Sequence, residues 1–207
     1  MVDAAATTRL SVFPLAGALL FPGMHLPLHI FEPRYRAMVS DALARDRRLG
    51  MIQPRGPGDP PPLFGIGCVG RIVDVEAHAD GRYDLVLEGV ARFTLVRELD
   101  VTTAFRQVEA VLEPVREDET LALAERSAIE LESRRFADAQ GYAVDWEAVA
   151  RLDDQSLVNG IAQIAPFDPA SKQALLEATS LSERAELIVQ LMHFYTRTDE
   201  GGGGTLQ

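Results

Sequence analysis

Residues 21–39 read FPGMHLPLHIFEPRYRAMV. Pro22-Gly23 marks a turn. Met24 to Ile30 then reads as extended chain. Pro27 has no N–H to give to a ladder, so the run predicts a strand that is an edge or is interrupted. The pattern changes at Glu32-Pro33. Proline suits the first helical position, where its missing N–H would be unpaired anyway, and Glu32 places negative charge at a helix N-terminus. Tyr35, Met38, Val39, Ala42 and Leu43 recur at i, i+3, i+4, i+7 and i+8, one apolar face. The helix is expected to end near Gly50, with basic residues in its last turn.

Working upstream, residues 1–9 are small and polar and are expected to fray. Val12, Phe13 and Leu15 predict a short strand, limited by Pro14 and Gly17. Leu19 to Phe21 adds a second extended piece before the turn. Downstream, RGPGDPPP (55–62) is a surface loop. GIGCVGRIVDVEAHADGRYDLVLEGVARFTLVREL (65–99) holds two or three strands, with Asp80-Gly81 as the hairpin turn. Gly89 inside that run predicts a bulge or bend. Phe105 to Leu112 gives another strand, and Pro114 closes the β-rich part.

Beyond Pro114 the period is helical. Leu121 to Phe136 is one helix, capped by Asp118 or Thr120 and stopped by Gly141. Trp146–Leu152 and Ser156–Ile164 are shorter pieces, with Asp153-Asp154 read as a cap. Asp168-Pro169 opens another helix through Leu176. Ser180-x-x-Glu183 is a capping-box pattern before a last helix through Tyr195. Strands followed by helices define an α+β chain. The expected organisation is a β-rich part with one inserted helix (10–114), a helical part (118–198) and a flexible tail (199–207).

The chain has 207 residues and a net charge of −11. The charge is uneven: +2 over residues 1–60, −3 over 61–112 and −10 over 113–207. Nucleic-acid binders carry a basic footprint to neutralise phosphates, and the whole-chain charge opposes that. Cys68 is the single cysteine, which excludes an internal disulfide and a cysteine-rich zinc site. No apolar run approaches the length of a membrane span, and the first residues lack a secretion pattern. A cytoplasmic protein is the expectation.

His25 and His29, with Glu32, invite a metal reading. Pro27 between them argues for extended chain, and four residues of strand span roughly 13 Å, too far for both rings to share an ion. The expectation is therefore a structural role, with no metal and no cofactor. His78 and His193 have no partner in sequence. Cys68, flanked by Ile66, Gly67 and Val69, reads as a buried neutral thiol rather than a nucleophile.

FPLAGALLFPGMHLPLHIFEPRYRAMVSDAL (13–43) resembles the opening of the Lon protease N-terminal, substrate-binding domain. GIGCVGRI (65–72) resembles that family's glycine-rich strand. DGRYDLVLEGVARFTL (80–95) resembles its hairpin and G-x-x-R-F element, and LLEATSLSERAELIVQLM (175–192) the end of its helical part. The resemblance implies a PUA-like β-barrel with an inserted helix, followed by an α-helical bundle. It also implies a stand-alone, non-catalytic form. There is no G-x-x-x-x-G-K-[ST] phosphate loop, and the one lysine, Lys172, directly follows Ser171, so the two would not face each other on a helix as the family's Ser–Lys dyad requires.

The function expected from this resemblance is binding of unfolded or extended polypeptide, as an adaptor for proteolysis that works with a separate protease. The expected contact residues are Met24, His29, Phe31, Arg34 and Tyr35, which sit beside the prolines where backbone groups are left unpaired. No catalytic residue is expected. Two other readings stand beside it. PUA-like folds also bind RNA, and Arg34, Arg36, Arg45, Arg47, Arg48 and Arg55 give the first sixty residues local basic character. A small hydrolase with an unrecognised site is the other.

Overall fold

The computed structural model of the chain describes residues 6–114 and 119–201. It divides into two compact units, Met1–Val115 and Arg116–Gln207. Asp118, one of the two expected caps, the first five residues of the expected frayed start, and 202–207 of the expected tail lie outside the described residues.

The first unit holds β1 (Thr7–Pro14), β2 (His25–Ile30), α1 (Pro33–Leu43), β3 (Arg48–Ile52), β4 (Ile66–Ala77), β5 (Tyr83–Glu98) and β6 (Gln107–Leu112). The strand order is β2-β5-β4-β3-β1-β6, and β5 also pairs β6. The pairings from β5 through β4, β3, β1 and β6 therefore return to β5 and close a ring. β2 stands outside that ring and, among the described strands, pairs with β5. Closure is possible because β5 is 16 residues long. Its first half pairs β2 (Tyr83 to Glu88) and its second half pairs β6 (Phe93 to Glu98), while β4 runs along both.

Alternation along β5 explains the core. Leu85, Leu87, Ala91 and Phe93 are buried at two-residue spacing. Phe93 packs in one cluster with Leu10, Val12, Ile52, Val69, Val108 and Ala110, drawn from β1, β3, β4 and β6. Pro27 lies opposite Val86 on β2, the outermost strand, so its missing N–H breaks no internal ladder.

Two expectations need correction. The helix does not reach Gly50: α1 ends at Leu43, and Arg48–Ile52 is strand β3. Arg47 turns the chain at φ 59, its N–H bonded to the Ala42 carbonyl at 2.9 Å. Leu49, Met51 and Ile52 then bury completely between β1 and β4. A short, wholly buried apolar run looks alike in a strand and in a helix. The start is not frayed from Thr7 on either, because Thr7 to Ser11 pair antiparallel with Val111 to Gln107 of β6.

The LFPG turn (20–23) is docked on β5. Gly23 N–H bonds the Gly89 carbonyl at 2.9 Å, and Gly89 N–H bonds the Met24 carbonyl at 2.8 Å. A Cβ at Gly89 would fall 2.1 Å from the Phe21 carbonyl oxygen. The bulge expected there is present: Gly70 faces Gly89 while Val69 faces Ala91, leaving Val90 extra.

The second unit holds α2 (Leu123–Gln140), α3 (Trp146–Val149), α4 (Asp154–Ile164), α5 (Pro169–Glu177) and α6 (Leu181–Gly201). Its helix starts follow the side chains. Asp153 accepts from Ser156 N–H and Asp168 from Ser171 N–H, both at 2.8 Å. Ser180 Oγ accepts from Glu183 N–H at 3.1 Å, and the Glu183 carboxylate takes Thr179 N–H at 2.7 Å. Thr120 is not the cap of α2: the N-cap is Ala122, whose N–H is held at 2.7 Å by Glu125. Gly141, at φ 72, ends α2 as expected. Ile129, Phe136, Leu157, Leu175, Ile188 and Met192 form the buried face. Arg184 is buried among them, donating to Asn159 Oδ1 (2.7 Å) and to the carbonyls of Leu175 (2.8 Å) and Ala178 (3.3 Å). Desolvating a guanidinium is tolerable only with such partners.

Candidate functional site

Four of the five expected contact residues, His29, Phe31, Arg34 and Tyr35, lie where β2 gives way to α1, whereas Met24 lies at the opposite end of β2 beside Gly89, and they do not present alike. Phe31 follows β2 directly and is 60% exposed. Exposed Arg34 is held at 2.9 Å by Glu32, with its guanidinium carbon 4.5 Å from the centre of the Tyr35 ring. Tyr35 itself is only 7% exposed, its ring 4.2 Å from that of Phe13. Burial pushes its hydroxyl pKa up. Tyr35 thus anchors α1 and supports Arg34 from beneath. Met24 is half-buried, and its carbonyl is committed to Gly89.

His29 belongs to a constellation that the sequence reading missed. On β2 it faces Asp84 of β5, and its Nδ1 lies 2.5 Å from Asp84 Oδ1. His78, expected to be without a partner, places Nε2 2.6 Å from Asp84 Oδ2. The two imidazole rings stand 6.3 Å apart. Hydrogen bonds from His29 first and His78 second hold the Asp84 carboxyl below the usual carboxylate range. The signal lay in the hairpin: the Asp80-Gly81 turn brings His78 back beside Asp84, and register brings β2 alongside. His193 is likewise partnered, with Glu132 at 2.9 Å.

The second unit carries a groove of about 560 Å³ that the sequence reading did not identify. It is lined from α2, α3, α4, α6 and the intervening loops by Phe136, Tyr142, Trp146, Leu152, Ile161 and Ile164, with Met192 also in its wall and, among the described residues, no charged side chain there. Ile164, the last residue of α4, is 81% exposed. An apolar concave surface of this size can take side chains from an extended chain.

The side chains weighed in the sequence as nucleophiles are hydrogen-bonded or buried. Ser171 Oγ bonds Asp168 Oδ2 at 3.1 Å, whereas Lys172 Nζ points to the Gln163 carbonyl at 2.6 Å. Burial lowers the Lys172 pKa. Cys68 is fully buried. Three of the six arginines that give the first unit basic character are engaged with acids or a carbonyl: Arg34 with Glu32, Arg45 with Asp41, and Arg47 with the Ile72 carbonyl. No helix among the described residues is long and apolar enough to cross a membrane.

Residues 9–193 match the ATP-dependent protease La (LON) substrate-binding domain. The chain is 27% identical over 197 residues to Lon protease 2 of Myxococcus xanthus, covering 89% of this chain and 23% of that protein. It is 28% identical over 194 residues to Lon protease 2 of Sorangium cellulosum, covering 87% and 24%. It thus spans about a quarter of the length of these curated relatives. Two solved structures share the fold. The Lon N-terminal domain protein from Xanthomonas campestris superposes with a TM-score of 0.69 at 22% identity, covering 90% of this chain and 98% of that one. The N-terminal domain of Mycobacterium avium complex Lon protease gives 0.67 at 20%, with the same coverage.

Proposed function

The chain belongs to the LON substrate-binding domain family, and from that premise we propose that it is a non-catalytic module that captures unfolded or extended polypeptide for proteolysis. Substrate binding follows from the family, and the substrate of a protease is a polypeptide chain. The observation that carries the reading is the uncharged groove of the helical unit, with Ile164 exposed at its rim. Each aliphatic or aromatic side chain of a bound segment that leaves water there contributes up to about 1.5–3 kcal/mol. Ordering the segment offsets much of that, so micromolar affinity is the natural range.

The corner of the first unit is a second contact surface. Phe31 supplies the exposed ring and Arg34 a charged donor, with His29 beside them, Tyr35 as their support and Met24 at the far end of β2. β2 adds an outer edge whose pairing Pro27 restricts, which favours side-chain contacts over strand addition. Delivery to a separate protease is the adaptor role that such capture would serve. RNA binding is disfavoured by the net charge of −11, most of it in the helical part.

Fluorescence anisotropy with a labelled, permanently unfolded model polypeptide tests this. Ile164→Asp is expected to weaken binding about tenfold or more, since a desolvated carboxylate would face an apolar ligand. Phe31→Ala is expected to weaken it several-fold. Neither side chain is buried, so both variants should fold. Wild-type affinity in both would remove these surfaces from the reading, and no binding by the wild type would remove the function.

A further inference from the structure

We propose that His29, His78 and Asp84 form a binding site for a divalent zinc-class cation on the first unit, adjoining the Phe31 contact surface to which His29 also belongs. The three residues come from β2, the hairpin after β4, and β5, and one ligand atom from each lies within 4.8 Å of the others. Two imidazoles and a carboxylate are a donor set suited to Zn²⁺, with Co²⁺ as its spectroscopic substitute. Zn–N and Zn–O bonds of about 2.0–2.2 Å in a tetrahedron put ligand atoms about 3.3 Å apart. The Asp84 oxygens now lie 2.5 and 2.6 Å from His29 Nδ1 and His78 Nε2. At the two His–Asp contacts the side chains therefore need to part by under an ångström, the ligand atoms as a set already lie within 4.8 Å of one another, and all three side chains are part-exposed.

The scaffold is fixed by register, since His29 pairs Asp84 and Asp84 pairs Glu76 across three adjacent strands. Directly opposite residues project to one face, so Glu76 adds negative charge beside the ligands. Three protein ligands leave a fourth position for water.

One neighbour opposes the ion. Arg82 Nη1 lies 3.4 Å from His29 Nε2 and is tethered by Asp80, which bonds Arg82 Nε at 2.7 Å. Its charge repels a cation. Its donor also favours the His29 tautomer that keeps the proton on Nδ1, the nitrogen a metal would need. Removing Arg82 should therefore tighten binding.

Tag-free, chelator-treated protein titrated with Co²⁺ and followed by its d–d absorption, with Zn²⁺ as competitor and by calorimetry, tests the assignment. The expected result is saturation at one equivalent. His78→Ala and the isosteric Asp84→Asn should each weaken binding about 100-fold or more, beyond the 10–100-fold that losing a mere outer partner costs. Arg82→Ala should strengthen it, and His25→Ala with His193→Ala should leave it unchanged. Thermal melts establish that the variants fold. Absence of saturable binding, or wild-type affinity in folded His78→Ala and Asp84→Asn proteins, would overturn the proposal.

Discussion

Gly89→Ala is the substitution that most directly probes how the LFPG turn is held. The added Cβ would stand 2.1 Å from the Phe21 carbonyl oxygen, 2.8 Å from its carbonyl carbon and 3.2 Å from Pro22 Cα. All three are backbone atoms, so no rotamer change relieves the clash, and the turn must lift from β5. Lifting it endangers two hydrogen bonds, Gly23 N–H to Gly89 O and Gly89 N–H to Met24 O. Each is worth about 1 kcal/mol net. Overpacking adds about 1–3 kcal/mol. The expected loss is therefore about 3–5 kcal/mol, a large share of the roughly 5–15 kcal/mol that stabilises a domain. Urea unfolding followed by circular dichroism should show the midpoint fall by about 2 M, taking a slope near 2 kcal/mol per molar. Gly65→Ala is the control: nothing lies within 4 Å of its Cβ, so its change should stay within about 0.5 kcal/mol. A Gly89→Ala protein as stable as the Gly65→Ala control would refute the idea that this close approach holds the turn.

In the helical unit, Arg184→Leu leaves Asn159 Oδ1 and the Leu175 carbonyl without their buried donor, and should cost roughly 3 kcal/mol in a urea titration. Acid should destabilise the same unit through its caps. The Asp168 carboxyl is held below its ordinary value of 3.8 by the Tyr195 hydroxyl and by Ser171 N–H, and that of Asp153 by Ser156 N–H. Because the native pKa values are depressed, their contribution is complete above the unfolded value and is lost as pH falls through the native ones. Stability should hold down to about pH 5 and decline below about pH 4, with a shallower decline in Asp168→Asn. A decline equally steep in that variant would argue against the cap.

Local signals were legible wherever the cause lay within a few residues. Pro33 at a helix start, Asp168 and Ser180 as caps, Gly141 as a stop and Asp80-Gly81 as a hairpin all act through backbone groups one to four positions away. Pro27 announced an edge strand because a missing donor is tolerable only there. The α+β class followed from the order of those signals, and the ordered motifs from Phe13 to Met192 were enough to indicate the family.

Strand β3 was not legible, because Leu49 to Ile52 is apolar throughout and carries no period. Only its burial between β1 and β4 makes it a strand. The reason for Gly89 lay in a backbone contact with Phe21, far away in sequence. Tyr35 looked like a contact residue by position, yet packing against Phe13 turned it inward. His78 gained Asp84 and His29 through the hairpin turn and the β2–β5 register, and the groove arose from side chains that α2, α3, α4 and α6 bring together. Backbone preference and capping are written residue by residue, so the chain alone determined most of its turns, helix caps and helix stops. Which side chains meet depends on register and packing between distant segments, and the tertiary structure alone decided that.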